Sequence, residues 1–214
     1  MKYIPRRVLV AVALMVWGAV VAFGAVRLWN YDSAPGAAAQ APSGWPAGVH
    51  VARAPGLPTL VLLLHPHCPC SRATIGELSE LMTHCSGKLT TTVLVLHPAG
   101  MSDAWVHTDL WTSAAAIPGV TVLPDADGVE AHRFGAATSG QSLLYSADGR
   151  LLFAGGITES RGHSGDNAGR SEIESLVLGT EMHASQSPAQ TPVYGCPLFG
   201  AGTCQKEGPT TCPQ

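Results

Sequence analysis

His65-Pro66-His67-Cys68-Pro69-Cys70-Ser71 places two cysteines on either side of one proline, with two histidines just before them. A thiol does chemistry as the thiolate, so the question is what in this chain would stabilise a sulfur anion. Three readings fit the residue types. The pair can act as a redox dithiol, as half of a soft metal site completed by His65 or His67, or as two inert thiols. Position favours the first. The pair stands where an apolar run gives way to a helical pattern, the kind of junction where unpaired amide donors and the positive end of a helix dipole gather.

The elements around the pair can be read from spacing. Thr59–Leu64 (TLVLLL) is short and aliphatic, a strand buried on both faces. From Ser71 onward Ile75, Leu78, Leu81 and Met82 recur at helical spacing until Ser86-Gly87 ends the pattern. Pro69 suits a first helical position and makes Cys68 the N-cap, which predicts that Cys68 is the more acidic and more accessible thiol and that Cys70 is shielded by the first turn. Thr90–Leu96 reads as a second buried strand, closing a right-handed βαβ unit with Cys68 at the carboxyl end of its first strand. A helix over Ser102–Ala116, a strand over Val120–Leu123 and a short helix over Asp127–Phe134 follow. Ser142–Tyr145 and Leu151–Ala154 then form a hairpin around Ser146–Arg150, and a last helix covers about Ser171–Leu178.

Composition bounds the rest. The 214 residues, 46% hydrophobic and 13% charged, hold one ordinary domain with extensions, and 24 Gly with 16 Pro point to a loop-rich α/β protein. A net charge of −3 without a basic block gives nucleic acid no surface to bind. Val8–Val26 carries no charge and as helix spans about 28 Å, close to a bilayer core of about 30 Å. Lys2, Arg6 and Arg7 precede it and Arg27 alone follows. The positive-inside rule therefore leaves the N-terminus cytoplasmic and the remainder exported across the inner membrane, to the periplasmic side. The competing reading is a signal peptide cleaved at Ala37-Ala38-Ala39. Either way the domain reaches an oxidising compartment, where six cysteines can form three pairs. The expected organisation is an anchor over 1–30, a structureless Ala/Pro/Gly linker over 31–50, a domain over 51–180 and a cysteine-containing tail over 181–214.

The order βαβαβαββα with a cysteine pair at the first strand–helix junction resembles the thioredoxin fold. Ile117–Asp125, Asp127-Gly128, Phe134-Gly135 and Leu143–Leu152 resemble the insert and closing hairpin of membrane-tethered thiol–disulfide oxidoreductases. With His65–Ser71, Gly155–Thr158 and Arg161-Gly162-His163, they resemble in particular the thioredoxin-like bacterial proteins named RedB, over about Leu57–Gly179. The resemblance implies a mixed sheet flanked by helices, preceded by one transmembrane helix. Two departures stand out. The redox members carry Cys-x-x-Cys, whereas Cys68-Pro69-Cys70 is one residue shorter and its disulfide would close a smaller, more readily reduced ring. They also place a cis-proline before the hairpin strand, a position that falls here on Gln141, whose polar side chain is then expected to face the thiols.

In that topology the loop Gly155–Gly169 leaves the hairpin at the edge where Cys68 lies, so Arg161 or His163 can supply a cation to a thiolate. His97, His107 and His132 have no partner pattern and read as surface or packing residues. Cys85 lies about 20 Å along its helix from Cys70 and is no third active-site thiol. With Cys196, Cys204 and Cys212 of the tail it makes four cysteines, enough for two structural disulfides, one of them expected to join Cys85 to the tail. The reading that results is an exported, membrane-anchored thiol–disulfide oxidoreductase acting on protein dithiols or disulfides without a resident cofactor. Cys68 attacks, Cys70 resolves, and His67, with Arg161 or His163, tunes the thiolate. The alternative is a copper-handling module in which Cys68, Cys70 and His67, or else His65 or His163, ligate Cu(I).

Overall fold

The aliphatic run that the sequence marks as a buried strand is one, and the domain is built outward from it. In the computed structural model, which describes residues 5–179 and 187–199, β1 (Thr59–Leu64) is buried at every position. It pairs in parallel with β2 (Thr90–His97), through the crossover helix α2 (Ser71–His84). β3 (Val120–Ala126) adds in parallel to β2. β4 (Gln141–Tyr145) runs antiparallel to the other edge of β1, and β5 (Leu151–Gly155) returns antiparallel to β4. A two-residue strand β6 (Ala189–Gln190) closes the order β3-β2-β1-β4-β5-β6. This mixed sheet with flanking helices is the thioredoxin-like fold.

Alternation along β1 divides the core. Leu60, Leu62 and Leu64 pack with Ile75, Leu78, Leu81 and Met82 of α2, with Leu110 of α4 (Asp109–Ala115) and with Ile173 of α6 (Ala168–Leu178). Val61 and Leu63 face the other way, with Leu143 and Tyr145 of β4, and meet Ala131 of α5 (Val129–Arg133) and Phe134. Removing such side chains from water stabilises the fold by about 25 cal/mol per Å² of apolar surface. It also fixes the carboxyl end of β1, where the thiols begin.

Several local features differ from the sequence reading. Residues 102–116 form two helices, α3 (Asp103–Val106) and α4, because Thr108 is extended and serves as the N-cap of the second. The last helix begins earlier, at Ala168, where the Asn167 side chain accepts the Arg170 N–H at 2.8 Å. The linker expectation fails for its second half. Trp45 packs edge-to-face on Phe134 and Tyr145 at centroid distances of 5.4 and 5.1 Å, and Gln40 and Trp45 donate backbone bonds to Gly135 and Gly149. Absence of periodicity misled here, because an extended segment can bury alternate side chains and bond its backbone without a helical or strand pattern of its own.

The compact unit runs from Pro35, and it includes residues 187–199 of the supposed tail. The other unit holds α1 (Arg6–Asp32), a 27-residue helix with no buried residue and a mean hydropathy of 2.5 in its most apolar window. It is long and apolar enough to cross a membrane.

Candidate active site

The six residues after β1 turn twice before α2 starts. Cys68 N–H donates to His65 O, and Ser71 N–H to Cys68 O, both at 3.1 Å. Regular helix begins at Ser71, with Cys70 already helical as its cap, two residues later than an N-cap at Cys68 would give. Pro69 still lacks the amide that this turn leaves unpaired. Cys68 itself is 1% exposed and Cys70 6%, so the expectation that Cys68 is the accessible thiol is overturned.

What covers Cys68 is the segment around Cys196. Cys196 N–H donates to the Cys68 sulfur at 3.3 Å, and the Cys196 thiol hydrogen-bonds to the same sulfur, as do the Cys70 thiol and the Ser71 hydroxyl. These donors, Cys196 first and Cys70 second, hold the Cys68 thiol far below the usual range despite burial. Cys70 and Cys196 are pushed well up, because each holds the proton it shares with Cys68, is desolvated, and sits beside that negative charge. The three sulfurs thus form one unit with the anion at Cys68. Cys196 therefore belongs to this site. It is not the disulfide partner of Cys85, which is fully buried at the far end of α2 and unbridged. Burial, not pairing, raises the Cys85 thiol. Cys204 and Cys212 lie outside the described residues.

The residues just before β4 hold this arrangement. Ser139 Oγ accepts His65 N–H at 2.8 Å and pairs with Ser71 Oγ at 2.9 Å, while Ser139 N–H donates to Cys196 O at 2.8 Å. Gly140, at φ +91°, donates to Leu63 O at 2.7 Å. Leu198 N–H donates to Ala137 O at 2.9 Å, and Thr138 bridges Pro197 in antiparallel sense, so residues 196–198 lie against 137–139 as a strand would. Gln141, expected to face the thiols, turns away: its amide nitrogen reaches Ser142 O and Gly155 O at 3.3 and 3.4 Å. One step of strand alternation decides this, since Gln141 shares a face with Leu143 and α2 lies on the other.

The histidines and the cation divide unevenly. His67 Nε2 bonds to Trp105 O at 3.0 Å and its ring packs on Trp105, and it does not bond to a sulfur. His65 is the buried one. Its Nδ1 accepts His67 N–H at 3.2 Å, and burial lowers its pKa against a raising influence from Cys68. Arg161 Nη1 donates to Gly195 O at 2.8 Å, and its guanidinium hydrogen-bonds to Cys70 and acts against the rise of the Cys70 and Cys196 thiols without reversing it. His163 is exposed in the same loop. Glu77 of α2 anchors that loop: buried, it takes bonds from Gly165 N, Asn167 Nδ2 and Arg170 Nη1 at 2.7, 3.0 and 2.9 Å. Of the other histidines, His132 stacks on Phe199, and His97 and His107 bond to neighbouring carbonyls.

For copper, the alternative ligand set does not converge. Among the described residues no three His, Cys, Asp or Glu side chains are grouped to hold a metal ion, and the His67 ring is engaged with Trp105.

Sequence reasoning missed Cys196, Ser139 and Trp105. A faint signal existed for the first: Val193, Gly195 and Leu198 are small or apolar positions around a Cys-Pro pair, and all three are buried.

No protein-family model and no curated protein sequence matches the chain. Among solved structures it is similar to an uncharacterized conserved protein from Geobacillus kaustophilus, at 16% identity and a TM-score of 0.56, over 80% of this chain and 95% of that one. A hypothetical protein from Sinorhizobium meliloti 1021 gives 20% identity and a TM-score of 0.54, over 79% and 96%. A secreted Mycobacterium tuberculosis disulfide oxidoreductase homologous to E. coli DsbE gives 19% and 0.42, over 58% and 83%. At these identities the likeness bears on the fold alone.

Proposed function

We propose that this chain is a membrane-anchored thiol–disulfide oxidoreductase whose attacking group is Cys68, with α1 as a single inner-membrane span and the domain on the exported, periplasmic side. The observation that carries the reading is the buried Cys68 sulfur, on which the Cys196 amide and thiol, the Cys70 thiol and the Ser71 hydroxyl converge as donors. A thiolate so held exchanges with a substrate disulfide while its neighbours stay protonated. Cys68 attacks one sulfur of a protein disulfide, the other sulfur leaves as thiolate, and a neighbouring thiol, Cys70 in the sequence reading, releases the substrate from the mixed disulfide. Arg161 steadies charge that passes to Cys70. His67 serves as a packing partner of Trp105. Lys2, Arg6 and Arg7 ahead of the charge-free run Val8–Val26, against Arg27 alone after it, support the orientation.

The test is turnover of a model protein disulfide by the full chain in detergent, with a small dithiol as reductant. The reading expects activity above the uncatalysed rate that is lost in Cys68→Ser. Wild type that is inactive towards every disulfide tested, yet binds Cu(I) tightly through Cys68, would move the assignment to copper handling.

A further inference from the structure

Cys196 reaches Cys68 by construction. Residues 191–198 are fixed along their length: Thr191 Oγ1 donates to Gly156 O at 2.8 Å, Gly156 N–H to Pro192 O at 3.2 Å, and Arg161 to Gly195 O at 2.8 Å. Val193 and Leu198 are 3% and 1% exposed. Gly195 passes so close to the Ser139 carbonyl that any Cβ would overlap it. The segment therefore presents one particular side chain to Cys68. That side chain is a thiol, already hydrogen-bonded to the Cys68 sulfur and half-buried beside it.

Cys70 is less well suited to pair with Cys68. Only Pro69 separates the two, its φ is fixed by the ring, and Cys70 is held in helical conformation at the start of α2. Bridging them closes a small ring within a rigid turn. Cys196 comes from a separate segment and carries no such constraint.

We propose that Cys196 is the resolving thiol of this site and that the oxidised domain carries a Cys68–Cys196 disulfide. The inference rests on the proposed oxidoreductase function and names its second thiol. In the forward direction the Cys68 thiolate attacks a disulfide R–S–S–R′, the S–S bond breaks, and R′–S⁻ leaves. Cys196 passes its proton to that leaving thiolate and attacks the Cys68 sulfur, and R–S⁻ leaves to take a proton from solvent. The substrate disulfide is reduced to two thiols, and Cys68 and Cys196 are oxidised to one disulfide. Because residues 191–198 also cover Cys68, the segment has to lift to admit a substrate, and its return brings the second thiol. Cys70 remains as a proton donor that lowers the Cys68 thiol.

The experiment oxidises the full chain in detergent with glutathione disulfide, blocks free thiols, and maps linked peptides without reduction, in wild type, Cys70→Ser and Cys196→Ser. The inference expects a Cys68–Cys196 linked peptide in wild type and in Cys70→Ser. In Cys196→Ser it expects a Cys68–glutathione mixed disulfide that persists at least about tenfold longer than in wild type, the equivalent of roughly 1.4 kcal/mol in barrier. A Cys68–Cys70 bridge in wild type, with Cys196 free or joined to Cys204 or Cys212, would overturn the role of Cys196 and leave the oxidoreductase reading standing. Failure of Cys68 to form any mixed disulfide would sink both.

Discussion

At the scale of single residues, the Cys68 sulfur is stabilised by four hydrogen-bond donors drawn from two chain segments: the Cys196 thiol and amide from one, the Cys70 thiol and the Ser71 hydroxyl from the other. Losing one donor should raise the Cys68 pKa without touching the fold. Ser71→Ala is the mild case, and a pH titration of alkylation rate should show the Cys68 profile moving to higher pH; an unmoved profile would mean that the serine serves only Ser139. His65 makes a pH prediction of opposite kind. Burial depresses its pKa from 6.5, so the folded state resists the proton that the unfolded chain accepts. The sign follows from linkage: below pH 6.5 the unfolded state binds more protons, stability rises with pH there, and the full contribution is present above 6.5. Stability is lost as pH falls through the depressed value. His65→Asn keeps an acceptor for His67 N–H and removes the titration, so denaturant midpoints measured across this acidic window should flatten relative to wild type.

At the scale of elements, the carboxyl end of β1, the N-terminal turn of α2 and the residues before β4 meet at the thiols, and each is held by its own contacts. The Gly155–Gly169 loop depends on Glu77, a carboxylate 1% exposed that pairs with Arg170 at 2.9 Å. Removing Glu77 takes the carboxylate acceptor from the Gly165 amide and the Asn167 side chain and the most buried carboxylate from Arg170, which keeps Glu80, Asp166 and Glu174 beside it, at a cost of several kcal/mol. Glu77→Ala should therefore lower unfolding free energy by about 3 kcal/mol and free the backbone that carries Arg161, read as faster amide exchange over 159–167. An unchanged exchange pattern would assign the loop's order to other contacts.

These elements were also where the sequence was most and least legible. TLVLLL and the Ile75–Met82 spacing announced a strand–helix junction, since burial on both faces and helical periodicity leave direct marks on residue type. The turn after β1 is set by backbone bonds to His65 O and Cys68 O, which leave no such mark, so the helical pattern from Ser71 is legible but the N-cap falls at Cys70 and not at Cys68. The approach of Cys196 depends on pairing across nearly sixty residues, between 196–198 and 137–139, through backbone groups that every residue carries. Nothing in the spacing of cysteines encodes that. The Gln141 error was one of strand phase: the residue was placed correctly in the chain, but the face to which its side chain turns is fixed by its register with Leu63.

At the scale of the whole molecule, two units serve different ends: α1, which exposes its apolar surface, and a thioredoxin-like domain that extends from Pro35 and recruits residues on both sides of its sheet. Deleting residues 1–34 should leave a soluble domain that unfolds cooperatively. Deleting 1–48 should not be equivalent, because it removes Trp45 and its two aromatic contacts. At about 0.5–1.5 kcal/mol each, these contacts predict a further loss of roughly 1–3 kcal/mol in chemical denaturation. Equal stability of the two truncations would show that residues 35–48 are a tether after all.

All of this serves one claim, that Cys68 exists as the exchanging thiolate in the folded protein. The direct measurement is the rate at which the intact chain forms a mixed disulfide with a small model disulfide, followed by mass mapping as a function of pH. The account predicts that Cys68 reacts first among the cysteines and that its rate stays nearly flat from neutral into mildly acidic solution. A rate that falls about tenfold for each pH unit below about 8.5, as for an ordinary thiol, or first reaction at Cys70 or Cys196, would contradict it.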